Sequence, residues 1–179
     1  MAASSWSRGN GVDSETGVQS AIGMTSDQMT ELQRIAEAAV LCEQNTDFPA
    51  EVSAAQCILE SAWLTRAPGN NCFGIKATDE NERYCLTKEY LDGSWQTCKA
   101  AFETYPTLAA CFIAHAKLLT TGSRYAAAWA SYLVTWDLGG FIRAIAPIYA
   151  TDPNYASEIL TLVRGPHVTA AIRAAREAA

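Results

Sequence analysis

The chain has 179 residues, 49% of them apolar and 18% charged, which is the composition of one folded globular domain rather than of a disordered segment. Its formal net charge of −6 excludes a protein that grips nucleic acid through Lys and Arg set against phosphates. The longest apolar runs are too short to cross a bilayer, so no membrane span is expected.

Residues 1–24 are rich in Ser, Gly and polar groups without helical or strand period, and read as a flexible N-terminal arm. Thr25 with Gln28 three residues on predicts a capping box, followed by a helix whose apolar face holds Met29, Leu32, Ile35, Ala36, Ala39 and Val40. A second helix is expected from Pro49 as its first residue, ending before Pro68-Gly69, with Val52, Ala55, Leu59, Ala62 and Trp63 on its buried face. Arg83 to Leu91 and Ser94 to Tyr105 read as strands joined by the hairpin dipeptide Asp92-Gly93. Glu89 then shares a strand face with Thr87 and Cys85. Beyond Pro106 the period is helical again. Leu108, Cys111, Phe112, His115, Leu118 and Leu119 form one stripe, Ala-rich helices follow over 125–134 and 138–148, Asp152-Pro153 starts another, and Gly165-Pro166 opens the last. The class is α+β and mostly α, with residues 25–179 as a single domain.

Six cysteines, Cys42, Cys57, Cys72, Cys85, Cys98 and Cys111, are many for a cytosolic domain, and none lies in a C-x-x-C pair. Disulfides in an oxidising compartment and ordinary buried thiols are both open. Met1 to Asn10 lacks the charged region, apolar core and cleavage site of a secretory signal peptide. Delivery outside the cytoplasm therefore implies either a sequence trimmed of its leader or a route that removes nothing, such as a contractile secretion machine or phage lysis. His115 and His167 are far apart and lack clustered acids, so neither a metal nor a cofactor is expected. His115, on an apolar face, reads as structural.

A lone glutamate on an amphipathic helix is ordinarily a solvated charge. Glu60 lies at the edge of an apolar face, three residues before Trp63, and in the last turns of its helix, where unpaired carbonyls carry partial negative charge. Both desolvation and the helix end disfavour a carboxylate, as a general acid requires. Glycoside cleavage commonly uses a second carboxyl group, for which Glu89 is the candidate.

Glu60-Ser61-Ala62-Trp63, Asn70-Asn71-Cys72-Phe73-Gly74-Ile75-Lys76, Thr87-Lys88-Glu89-Tyr90-Leu91-Asp92-Gly93 and Tyr149-Ala150-Thr151-Asp152-Pro153 occur in the order seen in flagellar-type endo-β-N-acetylglucosaminidases, glycoside hydrolase family 73. The resemblance runs from about Pro49 to Arg164. It implies a lysozyme-like fold with a helical lobe and a small β-hairpin lobe flanking a cleft, and hydrolysis of peptidoglycan glycan strands. By motif position Glu60 is the proton donor, Glu89 the second acid that activates water, and Tyr149 an active-site tyrosine that positions the sugar or polarises its acetamido group. Trp63, Asn71 and Phe73 are the implied substrate-binding residues. After the tryptophan, family members often continue Gly-x-Ser, where this chain has Leu64-Thr65-Arg66, so the helix exit and cleft width are expected to differ.

Two other functions compete with this one. A muramidase or lytic transglycosylase would cut the other bond on the same fold, and a non-catalytic wall-binding module would keep the cleft without the chemistry. An acidic wall hydrolase with no signal peptide and no wall-binding repeats further suggests a monomeric effector, of the type VI secretion kind, delivered to a rival's periplasm. Its producer would then carry a cognate periplasmic immunity protein.

Overall fold

The computed structural model describes residues 23–77, 82–91 and 94–179, with backbone alone at 82–91, 94–96, 98 and 99. Nearly all of the expected arm, the Asp92-Gly93 turn and the side chains of Glu89, Cys85 and Cys98 lie outside the described residues. The elements run α1 (Ser26–Thr46), α2 (Ala50–Ser61), β1 (Glu82–Leu91), β2 (Ser94–Glu103), α3 (Leu108–Thr121), α4 (Ala126–Thr135), α5 (Leu138–Tyr149), α6 (Tyr155–Arg164) and α7 (Pro166–Ala178). This is the expected mostly helical α+β architecture.

Helix α1 starts as its sequence dictates. The Thr25 hydroxyl accepts from the Gln28 amide at 3.1 Å and the Gln28 side chain accepts from the Thr25 amide at 3.1 Å, which satisfies two orphan donors at the helix N-terminus. Leu32, Ile35, Ala36, Ala39 and Val40 are buried as expected, whereas Met29 in the first turn is 59% exposed.

Helix α2 is the centre of the molecule. Ala50, Val52, Ser53, Ala54, Ala55, Gln56 and Cys57 are all 0% exposed, so the helix is buried on every side for two turns rather than along one stripe. Small residues permit this, because neighbouring helices can approach its backbone closely. Helices α1, α6 and α7 pack on it. Pro49 is the N-cap and not the first helical residue. Arg176 of α7 closes the bundle from outside, donating to Glu43 of α1 at 2.7 Å and 2.9 Å and to Glu51 of α2 at 2.8 Å and 3.1 Å. Its side chain is 42% exposed, so solvent screening holds the contribution to about 1 kcal/mol.

Strands β1 and β2 pair antiparallel from Glu82↔Glu103 to Leu91↔Ser94, which places Glu89 opposite Gln96. The loop between α2 and β1 is stitched to the hairpin's base. Lys76 bridges Phe102, the Glu103 amide donates to the Ile75 carbonyl at 3.0 Å, and the Ala77 amide donates to the Ala101 carbonyl at 3.0 Å. The hairpin is thus rooted in the helical lobe through one short loop.

Helix α6 begins at Tyr155, two residues later than Asp152-Pro153 suggests. Asp152 instead caps a turn: its carboxylate accepts from the Asn154 amide at 2.8 Å and its carbonyl from the Tyr155 amide at 3.1 Å. That turn carries the chain from Tyr149, the last residue of α5, to Tyr155, the first of α6.

Candidate active site

Glu60 is the penultimate residue of α2 and is half-buried. The helix stops immediately after it. The Ser61 hydroxyl donates to the Cys57 carbonyl at 2.6 Å and accepts from the Leu64 amide at 2.9 Å, while the Trp63 amide donates to the Ile58 carbonyl at 3.2 Å. Ala62, Trp63 and Leu64 then take φ of 49°, 59° and 62°, three left-handed residues in succession, none of them glycine. Each such residue costs about 1–2 kcal/mol through the clash of Cβ with the following carbonyl.

This corrects the placing of Trp63. It lies in the left-handed turn and not on a helix face shared with Glu60, because α2 ends at Ser61, two residues short of Trp63. The indole still packs, half-buried, on the core. Leu64, where family members often have glycine, keeps the turn's geometry but not glycine's freedom. Ala62→Gly is expected to raise stability by up to about 1 kcal/mol, the relieved strain outweighing the entropy glycine adds to the unfolded chain. Thermal melts of the two proteins check this.

Two tyrosines from the α5–α6 turn meet Glu60. Tyr149 and Tyr155 are each 3% exposed, and their rings stack with centroids 5.5 Å apart. Burial, followed by the neighbouring phenol of Tyr155 and the charge of Glu60, pushes the Tyr149 hydroxyl well above its usual range. Tyr155 is pushed up by burial, by the Glu60 charge and by a hydrogen bond with that carboxyl. The structure therefore brings Glu60 and Tyr149 together at one place, with Tyr155 as a residue that the sequence reading did not single out. Its signal was present: it stands four residues beyond Thr151 in an Asp-Pro turn that returns the chain towards α2.

Beneath Tyr149 lies His115, which is fully buried. Its Nε2 is 3.1 Å from the Tyr149 hydroxyl and Nδ1 has no partner among the described residues. A buried N–H left bare costs more than a bare lone pair, so the proton belongs on Nε2. Nε2–H then donates to Tyr149, whose own proton is left for another acceptor. Burial lowers the His115 pKa to about 3, so the ring is neutral. The structural reading of this histidine is confirmed.

Asn71 and Phe73 lie under the site and not on its surface. Both are 0% exposed. The Asn71 amide donates to the Ile75 carbonyl at 2.9 Å and to the Glu103 carbonyl at 3.0 Å, and its oxygen accepts from the Ile75 amide at 3.0 Å, which leaves no N–H for a sugar. Phe73 stacks on His115 at 3.8 Å between centroids. Their motif forms the floor: Asn71, with Asn70 donating to the Tyr105 carbonyl at 2.8 Å, fastens the hairpin's root, and Phe73 supports the histidine under Tyr149.

Cys42, Cys57, Cys72 and Cys111 are buried free thiols, and the closest sulfurs, Cys72 and Cys111, are 3.8 Å apart. For these four, the buried-thiol alternative is the one observed. Among the described residues no group of three His, Cys, Asp or Glu side chains is placed to hold a metal ion. No described helix is long and apolar enough to cross a membrane.

Comparison with known proteins bears on this arrangement. Residues 36–166 match the family model described as glucosaminidase, mannosyl-glycoprotein endo-beta-N-acetylglucosaminidase. A probable N-acetylmuramidase of Lactococcus lactis is 35% identical over 75% of this chain and 32% of its own length. The peptidoglycan hydrolase FlgJ of Salmonella typhimurium is 30% identical over 79% of this chain and 47% of its own. The chain thus spans about a third to a half of these curated relatives. Among solved structures, the catalytic domain of the autolysin Auto from Listeria monocytogenes superposes with a TM-score of 0.69 at 30% identity, covering 85% of this chain and 91% of that one. The family model takes in most of α1, all of α2 to α6 and the hairpin, so the chain belongs to the glucosaminidase family and has its lysozyme-like fold.

Proposed function

We propose that the chain is a peptidoglycan hydrolase, an endo-β-N-acetylglucosaminidase that cleaves the β-1,4 bond between N-acetylglucosamine and N-acetylmuramic acid, with Glu60 as general acid. The observation that carries the reading is a half-buried carboxyl at the end of a buried helix, facing two buried phenols. A carboxyl so placed is a candidate to give a proton to a leaving glycosidic oxygen.

In this reading Glu60 transfers its proton to the departing sugar's oxygen as the glycosidic bond breaks. The positive charge that develops on the ring is met by Glu89, carried by β1, which activates the attacking water. Tyr149, held by His115 with its proton uncommitted, donates to the acetamido oxygen and fixes the sugar. Trp63, half-buried in the turn that follows α2, offers a face for a pyranose ring. Asn71 and Phe73 act indirectly, by keeping the floor rigid.

The likeness to a probable N-acetylmuramidase of Lactococcus lactis favours a second reading, cleavage on the other side of N-acetylmuramic acid. Digestion of purified peptidoglycan, followed by borohydride reduction and mass spectrometry, separates the two. Reduced N-acetylglucosamine ends are expected. Reduced or anhydro muramic ends would move the assignment to the other bond, and an absence of fragments from the wild type would leave only a wall-binding role.

We extend the proposal to context: an effector acting in the periplasm of a target cell, as a monomer, with an immunity protein in the producing cell that plugs the cleft. Pull-down from that cell's periplasm is expected to recover a partner whose binding protects Trp63 from solvent. Recovery of no such partner counts against the effector role and leaves the hydrolase reading standing.

A further inference from the structure

The four buried thiols fall into two kinds. Cys42 and Cys57 sit on α1 and α2, and each sulfur faces the hydroxyl one turn further along its own helix, Thr46 Oγ1 at 3.5 Å and Ser61 Oγ at 3.8 Å. Cys72 and Cys111 instead face each other across two segments, with their sulfurs 3.8 Å apart. Cys72 belongs to the loop after α2 and Cys111 to the first turn of α3.

The residue after each of these two cysteines makes a second contact between the same segments. Phe73 and Phe112 meet edge to face with ring centroids 5.0 Å apart, and all four side chains are 0% exposed. Packing beside the sulfurs thus holds the loop against α3. A disulfide needs its sulfurs about 2 Å apart, so each has to move by roughly 0.9 Å, which a modest rotation about χ1 supplies. Between the two cysteines lies the whole β-hairpin: the chain leaves the helical lobe after Cys72, forms β1 and β2, and is back in α3 at Cys111, 39 positions on.

We propose that Cys72 and Cys111 are a disulfide site, oxidised by a protein or small-molecule disulfide, and that the bond staples the two roots of the hairpin together in the helical lobe. The step balances as two thiol–disulfide exchanges. One cysteine thiolate attacks a sulfur of the oxidant, which forms a mixed disulfide and releases a first thiol. The other cysteine thiolate then attacks the first cysteine's sulfur, which forms the Cys72–Cys111 bond and releases a second thiol. Two electrons pass to the oxidant's S–S bond, and the two cysteine protons end on the released thiols.

Burial, followed by the neighbouring thiols of Cys111 and Cys57, pushes the Cys72 thiol well above its usual range, and the fold holds both sulfurs away from an oxidant. Exchange therefore takes place before the core closes, and the finished bond is shielded from reductants. A chain that folds in a reducing compartment keeps its thiols, whereas one that folds in an oxidising compartment gains the staple. None of this depends on Glu60 or on the glycan.

The test refolds the purified full chain from urea in oxidised or in reduced glutathione, with non-reducing peptide mapping and thermal melts of both products. Oxidative refolding is expected to give a peptide linked through Cys72 and Cys111, and a melting temperature about 5–15 °C above that of the reduced chain. Cys85 and Cys98 can take up oxidant as well, so Cys111→Ala isolates the effect: its oxidised and reduced forms should differ by about 5 °C less than those of wild type, or lower still. If that variant does not fold, the wild-type comparison is repeated in a chain carrying Cys85→Ala and Cys98→Ala, with the same 5 °C criterion. Cys72 recovered after oxidative refolding as a free thiol, or linked to anything other than Cys111, overturns the proposal; Cys57 is the competitor to watch. So does a Cys72–Cys111 bond that leaves the melting temperature unchanged, because strain then cancels the stapling.

Discussion

Glu60→Gln is expected to lower kcat on peptidoglycan by about 100- to 10,000-fold while leaving the fold and glycan binding intact. The range is what a positioned general acid supplies. Glutamine has the same length and shape, so the packing at the end of α2 should be undisturbed. What is lost is the transferable proton. The check is a comparison of fragment release with sedimentation on insoluble peptidoglycan. Binding retained with release abolished supports the acid role. Release within about threefold of wild type would remove Glu60 from the chemistry, and equal loss of binding and release would make it a contact residue.

The second large effect is acid sensitivity centred on His115. In the unfolded chain this imidazole titrates near about 6.5, whereas in the fold burial lowers its pKa to about 3. The unfolded state therefore binds the proton first. Stability is complete above pH ~6.5 and falls as pH drops towards the folded value, at about 1.4 kcal/mol per pH unit from this one group. Urea titrations between pH 7.5 and 4 should show that slope in wild type and a flatter one in His115→Gln, whose starting stability is lower because the Phe73 stack is lost. A wild-type slope that the variant reproduces unchanged would assign the acid sensitivity to carboxylates. Because Nε2 holds Tyr149, the same variant should also lose activity at neutral pH, where the histidine's charge plays no part.

The site depends on interactions that reinforce one another across the core. Phe73 supports His115, His115 orients Tyr149, and Tyr149 stacks on Tyr155, which meets Glu60 and Gln56. Mutations along this series are expected to be non-additive, since each side chain is fixed by the next. The hairpin is a separate matter, joined to the helices through the backbone of residues 75–77 and the side chains of Asn70 and Asn71. Glu89, the proposed second acid, is carried on β1 of the hairpin whose base these contacts fasten.

Local rules were enough to read most of the elements from the sequence. The capping box at Thr25, the two strands of the hairpin, the Gly165-Pro166 break and the apolar stripe through Cys111, Phe112 and His115 are each decided within a few residues, and each is found in the structure. The motifs holding Glu60 and Tyr149 were legible through the resemblance to the glucosaminidase family. What the sequence could not show was the end of α2 and the direction of side chains around it. A left-handed run over Ala62, Trp63 and Leu64 contradicts local preference, and only the packing of the surrounding helices sustains it. Nor could spacing tell that Asn71 spends its amide on Ile75 and Glu103, or that Tyr155 reaches back 99 positions to Gln56. The sequence by itself determined where the helices and hairpin lie, because these follow from contacts between near neighbours, and its family motifs marked Glu60 as the candidate acid. The tertiary structure alone decided which polar groups are buried together and which way their protons point, because that depends on partners brought from distant helices into a space without water.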